Sequence, residues 1–259
     1  MIESGHQRNA VVTGSSGIGL GTALRLAADG FHVVLCGIDE RTNGEAREKC
    51  AGLAVEVVTL DVSDADAVAD FAAGLEGRID GLDALVNAAG IQTYGTIETT
   101  TLAVWQRTLA VNLTACYLMS HALYPLMKKR GQASIVHIAS VQGHSNQNNV
   151  LAYATSKGGL HAMTRAMAVD CAADGIRVNS VSPGSIRTPM LEFAARELTP
   201  ADGSMEDVLA GFGRVHPVGR VGTVEEIAAL VAYLVGPDSA FCTGGDFLID
   251  GGLKAQLGV

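Results

Sequence analysis

The sequence lacks long hydrophobic runs and is poor in cationic residues. Its longest helix-like apolar run, Ile227 to Val235, is too short to cross a bilayer, and the first residues lack the apolar core of a secretion signal. Lys and Arg number 18 against 27 Asp and Glu, a net charge of −9 that attracts neither nucleic acid nor an anionic membrane. We therefore expect a cytoplasmic protein with a small-molecule partner, and no nucleic-acid or membrane partner.

Disulfide and metal motifs are also missing. The five cysteines, at positions 36, 50, 116, 171 and 242, are scattered and mostly lie in apolar segments, so reduced core thiols are predicted. His137, His144 and His161 have no mutual metal-ligand spacing and no triad order. We interpret these histidines as structural or pocket-lining residues, and we predict no metal.

What the sequence does contain is a regular alternation of short apolar runs and helical patterns. The 259 residues, of which 48% are hydrophobic, fit one α/β domain spanning 1–259. The predicted strands are 9–13, 32–36, 55–60, 82–86, 134–139, 176–181 and 247–250. Short apolar strands separated by helices predict a doubly wound, seven-stranded parallel sheet with helices on both faces.

A glycine-rich turn, Thr13-Gly14-Ser15-Ser16-Gly17-Ile18-Gly19, follows the first strand and opens a helix. Missing side chains let a backbone approach a pyrophosphate, and a helix N-terminus presents unpaired N–H groups. The spacing is G-x-x-G-x-G rather than G-x-G-x-x-G, and glycine also serves ordinary tight turns. The strand–turn–helix context favours nucleotide binding.

Tyr153 and Lys157 are four residues apart in a helical pattern and should share a face. Lowering a tyrosine pKa from ~10 to about 7 takes roughly 4 kcal/mol. One ammonium about 4 Å away supplies that much at an effective dielectric of about 20. Such a tyrosine could accept a proton from an alcohol or donate one to a carbonyl, with Ser140 holding the same oxygen. Taken alone, the pair is more often an ordinary helix pair.

Together with these motifs, further segments in the same order resemble a short-chain dehydrogenase/reductase of the single-domain type. Asp61-Val62 matches the segment that meets the adenine, and Asn87-Ala88-Ala89-Gly90 stands where the family usually has Asn-Asn-Ala-Gly. The alanine at 88 is a departure that puts a stabilising side-chain contact in doubt. Asn112, Ser140, Tyr153 and Lys157 match the catalytic tetrad, and Ser182-Pro183-Gly184 with Thr188 matches the nicotinamide-contacting segment.

The resemblance implies a Rossmann-like NAD(P)-dependent oxidoreductase that transfers a hydride between nicotinamide and a secondary alcohol or ketone. Lys157 would hold the ribose hydroxyls and lower the pKa of Tyr153, which would exchange the proton. Ser140 would orient the substrate oxygen, and Asn112 would hold a water linking Lys157 to solvent unless it is merely a surface asparagine. The expected cofactor-binding residues are Gly14, Ser16, Gly17, Ile18, Gly19, Asp39, Asp61, Val62, Asn87, Ala88, Gly90, Tyr153, Lys157, Pro183, Gly184, Ile186 and Thr188.

Cofactor choice depends on the end of the second strand. Family members that use NAD often carry an acid at the position of Gly37, and many that use NADP carry an arginine at the position of Ile38, but this sequence has neither. Asp39 lies twenty positions after Gly19, the approximate spacing of a ribose-binding acid. Asp39 could instead cap the next helix, and Arg41 could reach a 2′-phosphate. We favour NAD over NADP.

The substrate is less well defined by the sequence. The amide-rich loop 142–149 could bind a polyol, sugar or sugar acid, or its amides could simply favour turns. The irregular segment 190–216 is predicted to be a mobile substrate lid. Apolar residues in 224–235 and 247–249, together with the resemblance, predict a homotetramer.

Three alternatives remain open. An NADPH-dependent 3-oxoacyl-thioester reductase would be favoured by a basic surface near the pocket and an arginine near the second strand. An NDP-sugar epimerase needs a further substrate domain, for which the chain has little room. A redox-inactive dinucleotide-binding regulator would be expected to lack part of the tetrad, whereas all four residues are present.

Overall fold

The protein is built on one sheet of seven parallel strands, in the order β3-β2-β1-β4-β5-β6-β7. The computed structural model describes residues 6–200 and 202–257, so both ends of the predicted domain 1–259 lie partly outside the described residues. The strands are β1 (Arg8–Thr13), β2 (Phe31–Gly37), β3 (Val55–Thr59), β4 (Ala84–Asn87), β5 (Ala133–Ile138), β6 (Ile176–Pro183) and β7 (Asp246–Ile249). All six strand pairings are parallel, which confirms the predicted fold class.

Helices cover both faces of this sheet. They are α1 (Gly17–Ala28), α2 (Glu40–Lys49), α3 (Ala65–Glu76), α4 (Leu102–Leu109), α5 (Ala115–Arg130), α6 (Leu151–Cys171), α7 (Pro189–Leu198), α8 (Met205–Arg214) and α9 (Val224–Val235). One core packs α3, α5 and α6 against the sheet, and a second core packs α1 and α9 against the other face. Within the described ranges, no helix is long and apolar enough to cross a bilayer.

The strand order reverses direction between β1 and β4. The chain leaves β1 toward β2 on one side of the sheet and leaves β4 toward β5 on the other. Loops that diverge in this way leave a crevice at the carboxyl ends of the strands, where open α/β sheets bind ligands. The glycine turn after β1 and Ser140 after β5 both lie at this edge.

The helical sequence pattern of residues 102–129 is interrupted in the structure. A five-residue π-helical segment, Ala110–Thr114, separates α4 from α5 and contains Asn112. Such segments are rare in α-helices and are frequent at functional sites. Apolar periodicity cannot reveal one, because a single wider turn barely changes the pattern over a long helix.

The segment 190–216 is more regular than predicted. It forms α7 and α8, whose N-termini are capped by the side chains of Thr188 and Ser204. The prediction of irregular structure is wrong, because Pro200 and Gly203 divide the segment and each ten-residue helix is too short to show a long periodic stripe. Its predicted mobility stays a prediction, and Ala201 lies outside the described residues.

Candidate active site

Tyr153 and Lys157 lie on the first turns of α6 and face the sheet. Only 9% of Tyr153 and 5% of Lys157 is exposed, and Lys157 Nζ lies 5.6 Å from the centre of the Tyr153 ring. Nζ donates a hydrogen bond to the carbonyl oxygen of Ile138, at the end of β5, over 2.7 Å. The helical spacing therefore places the phenol and the ammonium side by side, as predicted.

Ser140 stands next to this pair because it follows β5 directly. Its backbone is extended, and its Oγ accepts a hydrogen bond from the Gln142 N–H at 3.1 Å. The Ser140 hydroxyl also lies close enough to the Tyr153 phenol to oppose the rise in the pKa of that group. A substrate oxygen between the two hydroxyls would meet both.

Asn112 is completely buried, so the surface-asparagine alternative is excluded. Its Oδ1 accepts from the Ile91 N–H at 2.8 Å, and its Nδ2 donates to the Ile91 carbonyl at 2.9 Å and to Ser156 Oγ at 3.1 Å. A Cβ at Gly90 would lie 3.4 Å from Asn112 Oδ1 and 3.7 Å from Lys157 Nζ, so both groups border this glycine. The four residues of the predicted tetrad thus come together.

Burial dominates the electrostatics of the site. It raises the pKa of Tyr153, to which the Tyr94 phenol also contributes. Burial lowers the pKa of Lys157 to about 8, against a small opposing effect of Cys116. The expectation that Lys157 alone brings the pKa of Tyr153 close to neutrality is therefore wrong. It counted the attraction between the two charges and omitted the cost of removing both from water.

A stability prediction follows from the buried lysine. The pKa of Lys157 is lowered from its ordinary value of 10.5 to about 8, so the unfolded chain binds more protons than the folded one between these values. The stability lost by burying the ammonium is thus regained as pH rises from about 8 to 10.5. At pH ~7, burying the ammonium costs roughly 3 kcal/mol of stability. Replacing Lys157 by Met removes this cost but also removes the hydrogen bond to Ile138, so the free energy of unfolding should rise by about 1–2 kcal/mol.

Urea unfolding of the two proteins at pH ~7 and ~10 measures this difference. The exposed Lys49 on α2 is the matched control, and Lys49→Met should change stability little at either pH. A Lys157→Met protein that is less stable than the wild type at pH ~7 would contradict the prediction.

The glycine turn fits a pyrophosphate. Gly14 and Gly17 have positive φ angles of 91° and 51°, and a Cβ at Gly19 would lie only 2.0 Å from the Gly14 carbonyl oxygen. The N-cap residue of α1, Ser16, makes no side-chain cap hydrogen bond, whereas Asp39 and Asp64 cap α2 and α3. The first N–H groups of α1 are therefore left to bind an anion.

Most of the remaining predicted cofactor residues lie at or just after the ends of β3, β4 and β6, and their contacts with a cofactor stay predictions. Asp61 is held by the N–H and hydroxyl of Ser63, and the N–H of Ala88 donates to Thr13 Oγ1. Val62 and Ile186 are buried, Pro183 ends β6 and Gly184 follows it directly. A Cβ at Gly17 would lie 3.3 Å from the Thr188 side chain, so the segment after β6 meets the glycine turn.

Asn87 is the last residue of β4. Its side chain is buried in the core, where Nδ2 lies 3.1 Å from His137 Nδ1 and 3.4 Å from Ser120 Oγ. The amide nitrogen is therefore bound in the core, whereas a cofactor contact through Oδ1 or the backbone stays a prediction. The motif alone could not show this, because alternate strand residues point to opposite faces of the sheet.

Asp39 caps the N-terminus of α2, which is one of the two roles that the sequence allowed for this residue. Its Oδ1 accepts from the N–H of Thr42 at 2.8 Å and from the Thr42 hydroxyl at 2.6 Å, and these bonds lower the pKa of the carboxyl group. Both described bonds go to the same oxygen, which leaves Oδ2 for a ribose hydroxyl. A Cβ at Gly37 would lie 2.0 Å from Ser15 Oγ, so that position has no room for an acid.

Two features escaped the sequence analysis. One is a cavity of about 290 Å³, which is lined by Gln92, Thr93, Tyr94, Val104, Met190 and Phe193. Tyr94, one of the lining residues, also contributes to the raised pKa of the Tyr153 phenol. His144, His161 and Asp246 come together beside α6. The sequence could have indicated that the two histidines lie near the site, because His144 is four residues after Ser140 and His161 is four residues after Lys157. No motif near Asp246 indicates that it joins them.

The chain is similar to several known proteins. A family model described as Enoyl-(Acyl carrier protein) reductase matches residues 12–254. D-beta-hydroxybutyrate dehydrogenase from Rhizobium meliloti is 36% identical over 96% of this chain and 99% of its own length.

Two solved structures share the fold. Ligand-free aldohexose dehydrogenase from Thermoplasma acidophilum has a TM-score of 0.90 and 31% identity, covering 98% of this chain and 96% of that one. An actinorhodin polyketide ketoreductase with NADPH has the same TM-score and identity, covering 95% of this chain and 97% of that one.

Proposed function

This chain belongs to the short-chain dehydrogenase/reductase family and is an NAD(P)-dependent oxidoreductase acting on hydroxyl and carbonyl groups, and we propose that Tyr153 is its proton-exchanging residue. The observation that carries this proposal is the buried cluster of Tyr153, Lys157, Ser140 and Asn112 at the edge of the glycine crevice. It supplies a proton carrier, a cation and an oxygen-binding hydroxyl around one point.

The residues divide the work as follows. When bound, the nicotinamide supplies or accepts the hydride at the substrate carbon. Tyr153 donates its proton to the carbonyl oxygen in reduction and accepts the alcohol proton in oxidation, while Ser140 orients that oxygen. Lys157 has one described hydrogen bond, to Ile138, and its other N–H donors can hold the ribose hydroxyls.

Lys157 and Asn112 also provide a route for the proton. The ammonium pKa of about 8 allows Lys157 to release and regain a proton near neutral pH, and Asn112 borders the same glycine, Gly90. We propose that water held at Asn112 links Lys157 to solvent. The phenol is then recharged without being exposed to bulk water.

For the substrate, we propose a neutral secondary alcohol or ketone with an apolar arm. No charged side chain is among the described residues that line the cavity beside Tyr153; three lining residues are neutral and polar, and three are apolar. The exposed Phe193 and Met190 come from α7, so this helix would form part of a cover over bound substrate. The left-handed backbone of Asn149, at φ 62°, favours the turn interpretation of the amide loop over the sugar-acid one.

A substrate screen tests this proposal. Secondary alcohols and ketones with apolar arms, neutral sugars, polyols, sugar acids, 3-hydroxybutyrate and acetoacetyl-CoA would be compared by kcat/KM with both cofactors. We expect neutral compounds with an apolar arm to be the best substrates. Preference for acetoacetyl-CoA would instead support the 3-oxoacyl-thioester reductase. The arginine near β2 that would favour this alternative is Arg41, which pairs with Glu45. A protein inactive on every compound would count against the proposed chemistry.

We propose that NAD is the preferred cofactor. Asp39 presents a free, ionised carboxylate oxygen close to the end of β2, where it would accept a ribose hydroxyl and repel a 2′-phosphate. The nearest arginines after β2, Arg41 and Arg47, pair with Glu45 and Glu40.

The double variant Ile38→Arg, Asp39→Ser is expected to move the preference toward NADP by at least about tenfold in kcat/KM, because it adds a phosphate partner and removes a repulsive charge. Serine can still cap α2, so the helix is kept. The measurement is kcat/KM with each cofactor, and Arg41→Gln serves as the control for the exposed arginine nearby. A wild type that works better with NADP would overturn the preference without affecting the role of Tyr153.

We propose a homotetramer in which α9 and β7 meet their copies about a two-fold axis. Tyr233, Phe241 and Leu248 are exposed at this end of the sheet, with Phe241 fully so. Light scattering at micromolar concentration should give four times the mass of 26.7 kDa. Phe241→Glu should lower that mass, whereas Ile97→Glu, an equally charged change at an exposed residue elsewhere, should not. A wild-type monomer would contradict the assembly.

A further inference from the structure

Three side chains from distant parts of the chain meet beside α6: His144, His161 and Asp246, called here the His–His–Asp cluster. His144 follows β5 in the loop 141–149, His161 lies one turn beyond Lys157 on α6, and Asp246 opens β7. Their candidate ligand atoms all lie within 4.8 Å of one another. The proposed reaction uses none of the three.

The two imidazoles are held in parallel. Their ring centres are 4.2 Å apart with an angle of 24° between the planes. Both Nε2 atoms face the same carboxylate, with His144 Nε2 at 2.6 Å from Asp246 Oδ2 and His161 Nε2 at 3.6 Å from Oδ1. Gly143 makes this packing possible, because a Cβ there would lie 2.4 Å from His161 Cε1.

The carboxylate is oriented by two hydroxyls behind it. Ser180 Oγ and Ser182 Oγ donate to Asp246 Oδ1 at 2.6 and 2.8 Å. Because Ser182 uses its only proton for this bond, its oxygen accepts from His161 Nε2 at 2.9 Å. Partners of this kind fix ligand side chains around metal sites.

We propose that the His–His–Asp cluster binds a first-row divalent transition metal ion of the zinc type. Two imidazole nitrogens and one carboxylate suit Zn²⁺ and Co²⁺, whereas Mg²⁺ and Ca²⁺ prefer all-oxygen sites. Bonds of about 2.0–2.1 Å in a tetrahedral site place the ligand atoms about 3.3 Å apart. The observed separations of 2.6 and 3.6 Å bracket that value, and the exposed His144 ring would turn out of its stack on His161 so that both ring planes contain the ion.

The cluster is accessible from one side only. The His144 side chain is 36% exposed, while His161 and Asp246 are 6% and 16% exposed. A metal ion enters past His144 and keeps a water on its solvent side. On binding, each imidazole carries its proton on Nδ1 and presents the Nε2 lone pair, a tautomer exchange with no net proton change.

Such an ion would tie the loop 141–149 to α6 and β7. The loop begins next to Ser140 and ends just before Tyr153, so the metal would stabilise the segment between the two proposed catalytic hydroxyls without touching substrate. This role is structural, and it does not depend on the proposed reaction.

Thermal unfolding of the full chain, first freed of metal with a chelator and then dialysed, tests the site. Zn²⁺ or Co²⁺ at about a hundred times its Kd should raise Tm by about 5 °C, whereas Mg²⁺ and Ca²⁺ should not change it. One equivalent of Co²⁺ should also produce visible d–d absorption.

Three variants assign the effect to these residues. His144→Gln, His161→Gln and Asp246→Asn should each abolish the Tm rise and the absorption. His121→Gln, at an exposed histidine on α5, should keep both. Because His144 is the most exposed of the three residues, its variant decides the question even if a change at a buried residue prevents folding.

The proposal is overturned if Zn²⁺ and Co²⁺ leave Tm unchanged, or if the His144→Gln protein responds like the wild type. A near-ultraviolet sulfur-to-cobalt charge-transfer band would also overturn it, since that band assigns the ion to a cysteine such as the partly exposed Cys242. None of these readouts uses turnover, so failure of the metal site and failure of the proposed reaction can be told apart.

Discussion

The replacement Tyr153→Phe is expected to lower kcat by at least about 10²-fold while cofactor affinity stays nearly unchanged. Phenylalanine keeps the ring between Ser140 and Lys157 and removes only the hydroxyl that carries the proton. The phenol is 9% exposed, so bulk water cannot take over its role easily. The measurements are kcat on the best substrate of the screen and the cofactor Kd from quenching of protein fluorescence.

Tyr117→Phe is the matched control for this variant. Tyr117 is 52% exposed on α5 and stacks on His121, so losing its hydroxyl should leave kcat within about twofold of the wild type. Turnover of Tyr153→Phe close to that of the wild type would refute the assignment of the proton-exchanging residue. It would not affect the fold or the cofactor crevice.

The replacement Gly19→Ala should weaken cofactor binding by at least about tenfold and lower the stability of the protein. The added Cβ would lie 2.0 Å from the Gly14 carbonyl oxygen and 2.7 Å from that of Thr13, both backbone atoms that cannot rotate away. Relieving such an overlap costs about 1–3 kcal/mol and moves the turn that would hold the pyrophosphate. Cofactor Kd and Tm, measured together, show both effects.

Gly74→Ala provides the control for Gly19→Ala. Gly74 lies in the exposed part of α3, and a Cβ there meets no atom within 4 Å. Because alanine favours a helix over glycine by up to about 1 kcal/mol, this variant should be slightly more stable and bind cofactor normally. Normal cofactor affinity in Gly19→Ala would show that the glycine turn is not the pyrophosphate site.

Local spacing explains why part of the site was predictable. Tyr153 and Lys157 are four residues apart on α6, and the glycine turn lies between one strand and one helix, so each arrangement is fixed within a few residues. The seven strands could be placed to within about two residues, since buried parallel strands are short apolar runs between helices. The resemblance supplied Asn112, which helical periodicity alone could not distinguish from a surface residue.

Other properties depend on residues that are far apart in the sequence. The pKa of Tyr153 is raised because the folded core buries the phenol, and a pairwise estimate between two charges cannot include that cost. Asn87 fits the family motif, yet the strand alternation turns its amide toward His137. The cavity beside Tyr153 combines Tyr94, after β4, with Phe193 on α7, and these two residues are about a hundred positions apart in the chain.

The sequence by itself determined the parallel sheet, the glycine turn and the face of α6 that carries Tyr153 and Lys157, because these follow from backbone sterics and helical or strand periodicity. Only the tertiary structure decided that His144 and His161 meet Asp246, and that Asn112 is buried against Ile91 and Ser156. Both are set by how separate elements pack and how buried polar groups find partners. Periodicity describes one element at a time and carries no information about which side chains face each other across the fold.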